Sequence, residues 1–448
     1  MSFSCSECGY RSAKWLGRCP NCGEWETLIE EGSPEKGKGA STSWIGEELR
    51  PITSIDIGEL RRLESGIGEL DRVLGGGLVP GAVILFGGEP GVGKSTLLLQ
   101  LAQSLAERSG NVLYVSGEES AAQIKLRASR LGAESDRLFV LPEQSLSRII
   151  QAVEQVAPCV LIVDSIQTTV SDAVPGEAGS LRQLRETSAE LTRLTKARKM
   201  STFLVGHITK EGAFAGPKTL EHLVDVAVYL EGSRGEDVRI LRSVKNRFGA
   251  TNEVAVFQML PSGLNEITDP SRFFLEQEQS SPRPGTVVVS LMEGTRPILV
   301  ELQALVSPTG GYGVPQRRAS GLDFNRILLL LAVIERQLGI HTGAADVYLS
   351  VAGGLETRER AVDLGVIAAV VSSLKGRPLP AGTVLIGEVG LSGEMRGVKK
   401  LRERIAEAEK LGYTQAIVPA SSKLSLRGKL VAVPVETIEE AMDVLKLR

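Results

Sequence analysis

The chemistry-bearing stretch that orders this chain is Gly87-Gly88-Glu89-Pro90-Gly91-Val92-Gly93-Lys94-Ser95-Thr96. Its G-x-x-x-x-G-K-S spacing makes Gly88, Glu89, Pro90, Gly91, Val92 and Gly93 a cup, with Lys94, Ser95 and Thr96 opening a helix. The glycines let backbone N–H groups turn toward phosphate oxygens, and the helix N-terminus adds its dipole. Lys94 is placed to reach β- and γ-phosphates, and the Ser95 hydroxyl to hold Mg²⁺. A second acid completes the set. Val160-Leu161-Ile162-Val163 closes on Asp164, an apolar strand ending in a carboxylate that helps hold Mg²⁺ through water. These residues predict a nucleoside triphosphate site.

A separate chemistry sits at the N-terminus. Cys5-x-x-Cys8 and Cys19-x-x-Cys22 are two hooks ten residues apart, each followed by Gly where a tight turn needs it. Each two-residue gap points both sulfurs at one centre, so the four thiolates suit a closed tetrahedron around Zn²⁺, structural because no position is left for water. Trp15 and Trp25 are expected to pack this small knuckle. The fifth cysteine, Cys159, falls in an apolar run and reads as an inert thiol.

The elements that must position these groups are legible around them. Ala82–Phe86 is a buried strand feeding the glycine loop, and Leu97-Leu98-Leu99-Gln100-Leu101 a helix leaving it. Further strands are expected at Asn111–Gly117, Leu138–Leu141, Cys159–Asp164, Thr202–His207, Val224–Leu230 and Val238–Val244, with helices between the earlier ones. Alternation of this kind means an α/β fold with a parallel sheet and ligand at the strands' carboxyl ends. Gly-, Ser-, Glu- and Lys-rich composition after residue 30, and Pro, Ser and Gln in 269–285, mark two linkers. The expected organisation is a zinc ribbon at 1–30, a tether at 31–54, a nucleotide-binding domain at 55–268, a linker at 269–285 and a C-terminal domain at 286–448. Lys plus Arg is 51 against 54 Asp plus Glu, a formal charge of −3, so nucleic-acid contact must come from local patches. No apolar run approaches the roughly 18–20 residues of a membrane span, and no signal-peptide pattern opens the chain, so a soluble, cytoplasmic protein without membrane contact is expected.

A P-loop, then an acid after the next strand (Tyr114-Val115-Ser116-Gly117-Glu118-Glu119), then Asp164, resembles the RecA-type ATPase order. That resemblance implies a glutamate that polarises the attacking water, Glu118 with Glu119 as the fallback, the alternative being that both glutamates cap the helix beginning at Ser120. Three further features extend it: the four-cysteine ribbon, His207-Ile208-Thr209-Lys210-Glu211-Gly212 with Ala215-Gly216-Pro217-Lys218, and Lys245-Asn246-Arg247-Phe248-Gly249. With the C-terminal region, the whole chain resembles the bacterial RadA (Sms) family of recombination and repair ATPases. The resemblance implies a homohexameric ring that binds single-stranded and branched DNA, hydrolyses ATP and drives branch migration beside a RecA-type recombinase or a replicative helicase. It implies a DNA-contacting loop at Lys210 and Lys218, which can reach phosphates without reading bases. In a ring, Lys245 and Arg247 would reach a neighbour's γ-phosphate, the alternative being a local ion pair. His207 would sense the nucleotide state or be a satisfied buried histidine. Arg182, Arg185, Arg193, Lys196, Arg198 and Lys199 suit the wet face of a helix.

The C-terminal region is similar to the Lon protease domain, which cuts peptides with a Ser–Lys dyad. Strands are expected at 286–290 and 298–306, helices at 325–337 and 360–374, and a last helix near Leu401. Matching the Ser372–Pro378 and Gly387–Glu394 stretches puts Ala361 at the nucleophile and Arg402 at the lysine. A methyl group cannot attack and an arginine cannot give up its proton, so peptidase chemistry is expected to be lost and the domain to act as a ring scaffold. Its candidate basic patch is Arg317, Arg318 and Arg326, with salt bridging to Asp323 or nearby acids as the alternative. Two other readings compete with the DNA motor: a nucleotide-switched ring without motor activity and an ATP-dependent peptidase.

Overall fold

The computed structural model describes residues 2–5, 8–31, 51–54, 61–207, 220–232, 237–275, 282–309, 314–422 and 428–448. Residues 32–50 of the expected tether, the stretch holding Lys210 and Lys218, and residues 276–281 of the expected linker lie outside them. The chain divides into two compact units, Met1–Glu266 and Ile267–Arg448.

The N-terminal ribbon is a three-stranded antiparallel sheet in the order β2-β1-β3, built from β1 (Ser2–Cys5), β2 (Arg11–Ser12) and β3 (Leu28–Glu31). Cys5, Cys19 and Leu28 are buried and Phe3 packs against them. Contrary to expectation, Trp15 and Trp25 do not fill this interior and are 56% and 69% exposed. The sulfurs and Leu28 already occupy the little volume available. Trp15 keeps only its indole N–H on the Leu28 carbonyl (3.1 Å), and the Arg18 guanidinium lies 5.8 Å from the Trp25 ring centre.

The core of the first unit is a nine-stranded sheet. Its strands are β4 (Val83–Gly88), β5 (Val112–Ser116), β6 (Leu138–Pro142), β7 (Val160–Asp164), β8 (Ser201–His207), β9 (Val226–Glu231), β10 (Val238–Asn246), β11 (Val254–Leu260) and β12 (Gly263–Glu266). The order is β12-β11-β10-β9-β4-β8-β7-β5-β6. From β9 to β6 neighbouring strands are parallel, as the alternation predicts. Strands β10, β11 and β12 depart from it by pairing antiparallel. No helix separates them in sequence, and short turns join only antiparallel neighbours. The helices are α1 (Gly68–Leu74), α2 (Lys94–Arg108), α3 (Ala121–Arg130), α4 (Leu146–Val156) and α5 (Leu181–Arg198).

Helix α2 is held by Leu97, Leu98, Leu101 and Leu105, all fully buried in the core that contains Phe86 and Ile162. Each such side chain contributes roughly 1.5–3 kcal/mol, which fixes the helix that starts at Lys94. Helix α3 starts at a capping box, Ser120 with Gln123, so neither Glu118 nor Glu119 supplies the cap side chain. Helix α5 buries a polar face in which Thr187, Thr192 and Thr195 bond back to carbonyls one turn earlier, while Arg193 pairs with Glu190 and Arg198 with Glu154 on its outer face.

In the second unit, α6 (Pro270–Leu275) occupies part of the stretch expected to be linker; Ser271 and Phe274 are buried there. A seven-stranded mixed sheet follows, built from β13 (Thr286–Glu293), β14 (Arg296–Pro308), β15 (Arg317–Ser320), β16 (Ala345–Val351), β17 (Thr383–Leu385), β20 (Gln415–Pro419) and β21 (Val431–Val435). A two-stranded ribbon, β18 (Glu388–Val389) with β19 (Met395–Arg396), lies apart from that sheet. The order of the large sheet is β15-β16-β14-β13-β17-β20-β21. Helices α7 (Phe324–Leu338), α8 (Asp363–Lys375), α9 (Leu401–Lys410) and α10 (Ile438–Val444) complete it. Helix α8 is buried from Asp363 through Ser372, so its run of small and branched apolar residues is core.

Candidate nucleotide site

The glycine loop takes the shape its sequence demands. Gly88, Gly91 and Gly93 have φ of 157°, 80° and 114°. A Cβ on Gly88 would stand 2.6 Å from the Leu230 carbonyl oxygen, so backbone packs where any side chain would have to go. Lys94, 4% exposed, folds back over the loop and donates to the carbonyls of Gly88 and Glu89, each at 3.0 Å. A third contact, at 3.0 Å, goes to His207 Nδ1. Burial lowers the ammonium to about 8, against the opposing pull of Asp164 and Glu118.

The carboxyl ends of β5, β7 and β8 bring the other groups together. An ammonium only donates, so His207 Nδ1 accepts from Lys94 and the imidazole carries its proton on Nε2. That nitrogen faces Glu118 Oε1 at 3.5 Å. Burial, then the Lys94 charge, lower His207 from its ordinary value, which keeps it neutral near pH 7. Glu118 Oε1 also accepts from Ser165 Oγ at 2.9 Å. Glu119 instead pairs with Arg127 and turns away. Thr168 Oγ1 would lie 2.0 Å from a Cβ on Gly117, so the turn before Glu118 is closely packed against the turn after Asp164. Asp164 is buried and accepts from the phenol of Tyr114 at 2.5 Å. Burial and the adjoining Asp164 carboxylate raise Tyr114 well above a phenol's ordinary value.

Lys94, Ser95, Glu118, Asp164 and His207 thus share one end of the parallel sheet. A backbone cup, a buried ammonium, a hydroxyl and a carboxylate are the donor set that a triphosphate with a hard divalent cation requires. Ser165 and Tyr114 escaped the sequence reading. Each is a neutral hydroxyl whose role exists only through its neighbours, and the one available signal was position, next to Asp164 or two residues before Ser116.

Lys245 and Arg247 are not brought to this cluster. Asn246 is level with Val226 in β9, which is level with Ile84 in β4, four residues before Gly88. At about 3.3 Å per residue the motif lies roughly 13 Å along the strands, toward their opposite ends. Lys245 Nζ donates to the Glu221 carbonyl at 2.6 Å, and Arg247 pairs with Asp225 at 3.1 Å. Asp225 is 3% exposed and also accepts from the Val83 N–H (3.1 Å) and faces Lys196 at 3.6 Å. Arg62 bonds the carbonyls of Phe248 and Gly75. A Cβ on Gly249 would stand 2.9 Å from the Gly75 Cα, so the motif docks on the turn after α1.

The four cysteine sulfurs all lie within 4.8 Å of one another, with Cys5–Cys22 at 3.6 Å and Cys8–Cys19 at 3.5 Å. Metal–sulfur bonds of about 2.3 Å in a tetrahedron require sulfurs about 3.8 Å apart, so the set fits one ion. The two hooks repeat one turn: Gly9 N–H bonds the Cys5 carbonyl and Gly23 N–H the Cys19 carbonyl, both at 2.9 Å.

In the second unit, Ala361 is buried and Arg402 is exposed on α9. The buried charges nearby are others. Asp363 is held by Arg326, and Arg404, fully buried, bonds Glu359 and the Ser290 carbonyl. Arg326 therefore leaves the expected basic patch, pairing with Asp363, while Asp323 caps α7. Arg317 bonds the Thr342 carbonyl at 3.1 Å, and Arg318 is exposed.

Comparison with known proteins matches residues 56–213 to the AAA domain family and residues 3–30 to the rubredoxin metal binding domain family. The DNA repair protein RadA of Halalkalibacterium halodurans is 47% identical over 448 residues, spanning 99% of this chain and 98% of its own. That of Bacillus subtilis is 47% identical, spanning 94% of this chain and 92% of its own. That of Listeria monocytogenes is 46% identical, spanning 98% and 97%. Among solved structures, the KaiC-like protein PH0186 from Pyrococcus horikoshii superposes with a TM-score of 0.40 at 21% identity over 46% of this chain and 99% of its own.

Proposed function

The chain belongs to the family of DNA repair proteins named RadA, and from that premise we propose that it is a DNA-stimulated ATPase that translocates on single-stranded DNA and drives branch migration of recombination intermediates. The observation that carries this reading is the gathering of Lys94, Glu118, Ser165 and His207 into one hydrogen-bonded cluster beside Ser95 and Asp164.

In this reading Gly88 through Gly93 cradle the phosphates, and Lys94 exchanges its bonds to the Gly88 and Glu89 carbonyls for β- and γ-phosphate oxygens. Ser95, and Asp164 through water, would hold Mg²⁺, which when bound would neutralise charge developing on those oxygens. Glu118 is the group that orients the attacking water, because Ser165 and His207 hold its carboxylate while Glu119 is tied to Arg127. When Lys94 moves to phosphate, His207 loses its Nδ1 partner. His207 ends β8 and leads directly to the segment with Lys210 and Lys218, to which we assign DNA phosphate contact.

Lys245 and Arg247 stand too far from the cup of their own subunit to touch its nucleotide. Their assignment to a neighbour's γ-phosphate therefore requires a ring, the homohexamer to which the second unit contributes a scaffold without peptidase chemistry. A cytoplasmic protein working beside a RecA-type recombinase or a replicative helicase completes the proposal, with Zn²⁺ in the four-cysteine site. The test is ATP hydrolysis with and without single-stranded DNA in the unaltered chain, Lys94→Ala and Lys245→Ala. Stimulation lost in both variants supports the motor. Turnover indifferent to DNA contradicts it and leaves a nucleotide-switched ring, and normal turnover in Lys245→Ala removes the trans-acting role.

A further inference from the structure

We propose that Tyr114 is a positioning residue for the divalent-cation half of the nucleotide site, holding the Asp164 carboxylate in one orientation. The inference rests on the ATPase reading above and deepens it.

The placement follows from register. Tyr114 in β5 is level with Ile162 in β7, and Asp164 follows two residues later. Residues two apart on a strand share a face, so Tyr114, Ile162 and Asp164 line the side of the sheet that Leu97, Leu98 and Leu101 of α2 cover. The first turn of that helix carries Ser95. The Tyr114 ring is fully buried in this layer, and its hydroxyl bonds the Asp164 carboxylate at 2.5 Å.

Donor and acceptor roles then fix the direction of the phenol's proton. A carboxylate only accepts, so Tyr114 must donate to Asp164 Oδ2. Asp164, with one oxygen tied to the phenol, has its other oxygen left to accept from water around the cation. In a site without the phenol, the Asp164 carboxylate rotamer would be free to turn.

The test compares Tyr114→Phe with the unaltered full-length chain. The variant keeps the ring that fills the core and removes only the hydroxyl. Affinity for a fluorescent, non-hydrolysable ATP analogue is measured in EDTA and across a Mg²⁺ titration. We expect equal affinity in EDTA and a Mg²⁺ midpoint raised about tenfold, the factor that losing one hydrogen bond to a charged group produces. An unchanged midpoint, with or without a lower melting temperature, leaves Tyr114 a core residue and overturns the proposal. Mg²⁺-independent affinity in the unaltered chain would instead overturn the ATPase reading. A second measurement does not depend on the variant folding. 3-Fluorotyrosine placed at position 114 keeps the phenol, and its ¹⁹F resonance should move when Mg²⁺ is added to the nucleotide complex; a stationary resonance overturns the proposal equally.

Discussion

Asp225→Asn tests how the Lys245–Gly249 motif is tied to the strand that delivers the nucleotide loop. The carboxylate accepts from the Val83 N–H and faces Arg247 and Lys196, at 3.1, 3.1 and 3.6 Å. Asparagine keeps the shape but removes the charge and turns one acceptor oxygen into a donor, so one of these partners meets N–H against N–H. Hydrogen bonds to charged groups contribute about 1.5–3 kcal/mol each, and leaving a buried partner unpaired adds a desolvation cost. The Arg247 and Lys196 side chains are 58% and 25% exposed and recover water, which discounts their share. A net loss of about 2–4 kcal/mol remains. With a urea dependence of about 2 kcal/mol/M, the transition of the first unit should move down by about 1–2 M. Arg247→Ala alone should cost about 1 kcal/mol because its side chain is largely solvated, and the two changes together should cost less than their sum. A midpoint for Asp225→Asn within about 0.25 M of the unaltered chain, some 0.5 kcal/mol, would refute the reasoning.

Two further outcomes are expected. Burial brings Lys94 down to about 8, and phosphate oxygens restore its charged form, so nucleotide binding should take up a proton above that pH and none from this group well below it. Affinity should therefore fall as pH rises from about 8 toward the bound lysine's higher value; calorimetry in buffers of different ionisation enthalpy measures the uptake, and pH-independent affinity between 7 and 9.5 contradicts it. Chelating the metal from the four-cysteine site should unfold the ribbon, whose interior is chiefly Cys5, Cys19 and Leu28, while the core sheet's melting transition stays within about 2 °C; a matching loss of the core transition would show the two to be one folding unit.

How far the sequence carries differs from place to place, for physical reasons. Lys94 and Asp164 were legible because a glycine spacing and an apolar run ending in an acid each force a local shape. The parallel strands were legible for the same reason, since their buried runs alternate with helices. The location of Lys245 and Arg247 follows from β10 running antiparallel to β9, a reversal that the short stretch between those strands dictates and that the expectation of one parallel sheet passed over. Glu118 and Glu119 are identical as residue types; only Arg127, Ser165 and His207 tell them apart, and none adjoins them in sequence. Trp15 and Trp25 were misjudged by treating large apolar rings as core in a knuckle whose volume the sulfurs already use. In the second unit, Ala361 and Arg402 were aligned by spacing, whereas the buried charges Glu293, Asp363 and Arg404 carry no such spacing mark.

The central claim is that this chain hydrolyses ATP at Lys94 with Glu118 orienting the water. The most direct measurement is single-turnover hydrolysis and equilibrium ATP binding for the unaltered chain, Glu118→Gln and Glu119→Gln. Glu118→Gln should bind ATP within about threefold of normal yet hydrolyse it about 10²–10⁴-fold more slowly, with Glu119→Gln close to normal. Unimpaired hydrolysis by Glu118→Gln, or the large loss falling on Glu119→Gln, would contradict the account.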